Sequence, residues 1–147
     1  MTDIRSRLLG AWQMMDMKIV DGEQLIELPI GPADECGGLL IYSEPGFMAT
    51  TLSLLSRPPF AEAAIGGGTL EEKAHAYDTI ISYAGAFEVD EESTTVIHHV
   101  QYASAPHMVG QALRRTCIFD GDTLTLDTPA MNFNGRHLPS YIKWIRV

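Results

Sequence analysis

The sequence predicts an all-β protein with one helix, built from eight short antiparallel strands. Three observations carry that reading. Apolar runs recur along the chain, separated by the turn signals Glu44-Pro45-Gly46, the acidic tip at residues 90–93, and Asp120-Gly121. One segment alone, residues 69–85, shows helical spacing. A single helix cannot supply the crossovers that parallel strands require.

Taken in order, residues 10–20 form the first strand, opened by Gly10-Ala11-Trp12. A loop follows, carrying Asp21-Gly22, Pro29, Gly31 and Pro32. Residues 37–43 and 47–54 make a hairpin around Glu44-Pro45-Gly46. The helix opens at Thr69, with Glu72 in the position of a capping box. Leu70, Ala74, Tyr77, Ile81 and Ala84 share one face, and Gly85 is placed to end it. "FEVDEESTTVIHHVQY" is a second hairpin. "LRRTCIFDGDTLTLDT" is the third, where Asp120-Gly121 supplies the positive φ of a tight turn. After a loop, "PAMNFNGRHLP", the final strand is "SYIKWIRV".

Such strands stack as a sandwich or close as a barrel. Closure would set the first strand beside the last and bring Arg146 over Trp12. A guanidinium on an indole face is worth about 0.5–2 kcal/mol. Trp12 then reads as a structural plug and Arg146 as its lid.

A chain of 147 residues is expected to be one domain, 1–147, with a substantial core. Its net charge of -9 repels phosphate backbones and anionic lipid, so neither nucleic acid nor a membrane surface is an expected partner. The N-terminal "MTDIRSRLLG" lacks the apolar run of a signal peptide, and no stretch approaches the ~20 apolar residues of a membrane span. A cytoplasmic location is the expectation. Cys36 and Cys117 are then reduced core thiols in preference to a disulfide. Self-association as a homodimer stays open.

Gly10-Ala11-Trp12 after a short N-terminal turn resembles the lipocalin G-x-W signature. The blocks "LLGAWQ", "GGLLIYSEPGFMA", "RPPF", "YAGAFEVDEESTTVIHHV", "FDGDTLTLDTP" and "WIRV" resemble the bacterial lipocalin-like domain proteins across nearly the whole chain. The resemblance implies an eight-stranded up-and-down barrel whose cavity takes an apolar small molecule. Related small barrels guide cyclisations of natural products, so it also permits catalysis. The chain departs from secreted lipocalins in its lack of a signal peptide and obvious disulfide, and in the place of its helix.

Strand register assigns candidate site residues. Leu113, Arg115 and Cys117 share a face with Leu124 and Leu126, so inward leucines bring Arg115 inward as well. A buried guanidinium needs an anionic or carbonyl partner, or a place at the mouth where it reaches water. Adjacent His98 and His99 face opposite ways. The more apolar register, Val96, His98, Val100 and Tyr102, turns His98 and Tyr102 inward. For the first hairpin, Leu39 and Ile41 are grouped with Met48, Thr50 and Leu52, against Tyr42 with Phe47, Ala49 and Thr51; which face lines the cavity is open. Residues 56–68, with Phe60, Ile65 and three glycines, have the composition of a lid or of a plain surface connection.

His98, Tyr102 and Arg115 are thus the candidate catalytic donors. Tyr42, Met48, Thr50, Leu52, Phe60, Phe87, Leu113, Leu124 and Trp144 are the candidate ligand contacts. His75, His107 and His137 lack metal spacing, and no nucleophile elbow or phosphate loop is present, so no metal and no cofactor are expected. Two functions are compatible: a carrier of an apolar or amphipathic molecule, and a cofactor-free cyclase or isomerase acting on a polyketide- or terpenoid-like intermediate. A third, a protein-interaction module, would require an exposed apolar patch.

Overall fold

The structure is a computed structural model that describes residues 3–147. A short helix, α1 (Ile4–Leu8), leads into strand β1 (Gly10–Asp21). Then come β2 (Gln24–Ile26), β3 (Cys36–Tyr42), β4 (Phe47–Leu54), helix α2 (Leu70–Asp78) and β5 (Ile80–Asp90). The chain ends with β6 (Thr95–Ala103), β7 (Ala112–Asp120), β8 (Thr123–Phe133) and β9 (Arg136–Arg146). Among the described residues, β1 and β3 to β9 pair antiparallel in chain order, and β1 pairs with β9 to close an eight-stranded barrel. Closure leaves no barrel edge unpaired.

Three elements depart from the expectation. The additional strand β2 pairs only with β1, Ile19 opposite Ile26; three residues are too few to show an alternation. The predicted loop after residue 128 is a hairpin. Asn134 and Gly135 adopt φ of 53° and 87°, the paired positive values of a tight turn, so β8 and β9 extend through it. Pro129 is tolerated because the register breaks between Thr128 and Met131.

The helix is also shorter than its spacing suggests. Its capping box is present, with Thr69 Oγ1 accepting from the Glu72 amide and Glu72 Oε1 from the Thr69 amide. It stops at Asp78, and Ile81 and Ala84 belong to β5. The β-branched and aromatic residues Ile80, Ile81, Tyr83 and Phe87 favour a pleated surface. The proposed apolar face does not exist as one: Leu70 is 87% and Tyr77 48% exposed. Gly85 is not a helix stop either. A Cβ there would lie 1.8 Å from the His99 carbonyl oxygen, inside the β5–β6 ladder.

One end of the barrel is plugged. Asp3 caps α1 through the Ser6 amide, and Ile4 and Leu8 are buried. The Trp12 indole donates to the Leu8 carbonyl at 2.8 Å, and the Arg146 guanidinium lies 4.1 Å from the centre of the Trp12 ring. Arg146 also donates to the carbonyls of Leu9 (2.9 Å) and Arg7. The seam expected of Trp12 and Arg146 is therefore present. Among the described residues, no helix is long and apolar enough to cross a membrane.

Candidate functional site

Register decides what enters the barrel. Leu40 pairs with Thr50, Tyr42 with Met48 and Gly38 with Leu52, and the side chains of Leu40, Tyr42, Met48, Thr50 and Leu52 turn inward. The grouping expected from the sequence was out by one residue. Four residues, Ser43 to Gly46, make the turn; the Ser43 amide bonds the Phe47 carbonyl, and Leu39, Ile41 and Phe47 face solvent. On the third hairpin Cys117 pairs with Leu126 and Phe119 with Leu124, which turns Leu113, Arg115 and Cys117 inward as expected.

His98 is 1% exposed, and His99 faces out to bond Glu88. Tyr102 is not beside His98. A bulge leaves Gln101 unpaired: Gly85 is opposite Val100, but Ala84 is opposite Tyr102. The extra residue reverses the alternation, and Tyr102 is 75% exposed. Gly85 permits the close backbone approach at this point. Tyr83, on β5, occupies the inward position instead.

A cavity of about 90 Å³ lies in the half of the barrel away from α1. Its apolar wall includes Met17, Leu52, Ile81, Met108, Met131 and Ile142. Thr50, Tyr83, His98, Arg115, Thr128 and Ser140 supply polar groups. Of the residues expected to contact a ligand, Thr50, Leu52 and Trp144 are on this wall. Tyr42 and Phe87 lie deeper, packed edge to face at 4.9 Å. Met48 and Leu124 belong to the packed core, and Leu113 packs with Val100 and Met108.

Phe60 is outside the barrel. It lines an open groove of about 550 Å³ with Arg57, Pro59, Glu72 and His75. Ile65 is fully exposed, and no residue of 56–68 is on the cavity wall, so this segment is a surface connection rather than a seated lid. The groove is the larger hollow, but its polar groups are in reach of water. Of these two hollows, the barrel interior combines enclosure with buried polar groups, which marks it as the candidate site.

His98 organises those groups. Its Nε2 is 2.7 Å from the Tyr42 hydroxyl and its Nδ1 is 2.8 Å from the Tyr83 hydroxyl. Burial, with the nearby Arg115 charge adding to it, lowers its pKa to about 3, so the ring is neutral at physiological pH. A neutral ring accepts at one nitrogen and donates at the other. Tyr42 is sealed off the cavity, with Nε2 the one acceptor in reach of its proton among the described residues, whereas Tyr83 lines the cavity. The arrangement that leaves no proton stranded in the core therefore has Tyr42 donating to Nε2. The Nδ1 hydrogen then points to Tyr83, whose own hydroxyl proton is free to face the cavity. Burial raises both tyrosine hydroxyls, and Arg115 partly opposes the rise at Tyr83.

Arg115 is 8% exposed and pairs in register with Val96. Its guanidinium donates to the Arg114 carbonyl at 3.0 Å and to Met131 Sδ at 3.6 Å. Among the described residues no carboxylate is within ion-pair reach. The Trp144 indole is on the same wall, and its Nε1 hydrogen is buried without a partner.

Sequence reasoning missed Tyr83 because the first half of β5 reads as helix, and Met131 and Phe133 because they fall in the expected loop; Ser140 opens the expected last strand but was not assigned to the site. The Asn134-Gly135 pair was the signal available for the second group. Among the described residues no three His, Cys, Asp or Glu side chains cluster as a metal site. No curated protein matches the chain. The sequence profile of the lipocalin-like domain matches residues 9–147. With the barrel, its plugged end and its lined interior, that match over nearly the whole chain places the protein in the lipocalin-like domain family.

Proposed function

We propose that this protein binds a small apolar or amphipathic molecule inside the barrel, in the half opposite α1. The observation that carries this is the grouping of Tyr83, His98 and Arg115 on a largely apolar wall inside the barrel. Apolar area holds a ligand and a few placed polar groups orient it. At about 90 Å³ the resting cavity is smaller than the roughly 300–1,000 Å³ typical of ligand sites. A ligand therefore enters by displacing wall side chains. Met17, Met108 and Met131 suit that, because an unbranched thioether changes rotamer at small cost. Native mass spectrometry of freshly purified protein, with extraction and identification of any bound molecule, tests the reading. A stoichiometric small molecule supports it; an empty barrel that also takes up no apolar probe defeats it.

A second reading, chemistry on the bound molecule, is favoured by one feature. The Tyr83 hydroxyl and the Arg115 guanidinium face the same cavity, where they would stabilise charge building on a substrate carbonyl oxygen during a concerted, cofactor-free isomerisation or cyclisation that removes no proton. His98, with a pKa of about 3, is too weak a base to abstract a proton near neutrality; its part is to hold Tyr83. A polyketide- or terpenoid-like ligand is the natural test substrate. Conversion by the wild type, with Tyr83→Phe lowering kcat more than it raises KM, supports catalysis. A ligand returned unchanged identifies a carrier.

A further inference from the structure

The barrel interior carries a positive charge and no negative one. None of the 19 acidic side chains is buried, whereas Arg115 is. Guanidinium groups remain protonated in proteins, so this charge cannot be lost as a buried lysine's can. Its own contacts do not neutralise it. Its partners, the Arg114 carbonyl, the Met131 thioether and the Tyr83 hydroxyl, are all uncharged, so none supplies a counter-charge. Nor does it reach bulk water freely, at 8% exposure.

The neighbouring polar groups have the same bias. His98 is occupied by two tyrosines and directs the Tyr83 hydroxyl proton toward the cavity. Two donor groups, one of them charged, therefore face the cavity beside the unpartnered Trp144 indole hydrogen. A neutral hydrocarbon would leave both unsatisfied and would bury the guanidinium further, which is costly. An oxyanion satisfies both, and a planar carboxylate matches the fork of the guanidinium.

Resting on the reading that the barrel is a ligand site, we propose that its ligand is an apolar molecule with a carboxylate head. The head sits on the Arg115 guanidinium beside the Tyr83 hydroxyl. The tail lies against Leu52, Ile81 and Ile142. The acidic exterior does not select for such a molecule, since a net charge of -9 disfavours anions at long range. Selection comes from the interior alone.

Matched ligands isolate the head group. Octanoate and 1-octanol share a tail, and calorimetric titration near neutral pH reads the affinity of each. Wild type is expected to bind octanoate roughly tenfold or more tighter than octanol. Arg115→Met should erase that preference while leaving octanol within a few-fold. Tyr83→Phe removes one hydroxyl, keeps the charge, and should weaken octanoate several-fold with octanol unchanged; it stands in if the first variant does not fold. Equal wild-type affinities, or a preference that survives Arg115→Met, overturn the carboxylate assignment while barrel binding stands. If neither head group binds across chains from butyl to dodecyl, the barrel-binding reading falls and takes this inference with it.

Discussion

The Tyr42 hydroxyl lies 2.7 Å from Nε2 of His98, a bond across the barrel between side chains 56 residues apart. It fixes a neutral imidazole in the interior, and the neutrality has a measurable consequence. An unfolded His98 takes a proton below pH about 6.5, and the folded one refuses it until about pH 3. Its contribution to stability is therefore complete above pH about 6.5 and declines as the pH falls, with a slope of about 1.4 kcal/mol per pH unit. Near pH 4.5 the loss from this residue is about 3 kcal/mol. Urea unfolding of wild type and His98→Gln at pH about 7.5 and about 4.5 checks it: the variant should lose markedly less stability on acidification.

Arg115→Met is expected to stabilise the ligand-free protein by about 1–2 kcal/mol, because it replaces an unneutralised buried charge by an apolar chain of similar length. Thermal unfolding reads the change. A lower midpoint would show that Arg115 is part of the structural framework instead of a ligand contact.

At the barrel seam, Arg146→Ala removes the cation from the Trp12 face and two hydrogen bonds to α1-end carbonyls. Arg146 is exposed, which limits the cost to about 1–2 kcal/mol. Arg146→Lys should fall between wild type and alanine, since an ammonium keeps the charge and loses the fork. The denaturant midpoints rank the three.

Gly85→Ala should be far more damaging than its chemistry suggests. The added methyl meets a backbone oxygen at 1.8 Å, and strand backbone cannot step aside as a side chain can. A loss of about 3 kcal/mol or more is expected. Circular dichroism and unfolding of the variant test this; a change below 1 kcal/mol (about a fivefold shift in the folding equilibrium) would mean that the bulge relaxes freely.

Both thiols are buried and unpaired with each other, and burial raises Cys36 and pushes Cys117 up to about 12. Thiolate is the reactive form. Neither should react with a disulfide reagent near pH 8 in the folded protein, while both react on addition of denaturant. Rapid labelling of the native protein would contradict their burial.

The strands and most hairpins were legible because their signals are local. Turn residues and the opposition of Trp12 to Arg146 require only neighbours in sequence or pairing of the chain ends. Arg115 and His98 were assigned inward correctly for the same reason: once a turn is identified, the two-residue period carries along the strand. That period also explains the failures. One misjudged turn residue shifted the grouping around Tyr42, and one bulge reversed Tyr102.

By itself, the sequence determined that this chain is mostly antiparallel strand, that Arg115 shares a face with Leu124 and Leu126, and that His98 and His99 face opposite ways; closure into a barrel was what the family resemblance implied. Only the tertiary structure decided that Tyr83 rather than Tyr102 meets His98, and that Arg115 finds no acidic partner. The first depends on a bulge made possible where Gly85 touches the β6 backbone, the second on what every other strand presents to the interior. Such relationships are set by atoms brought together from distant positions, and no local pattern encodes them.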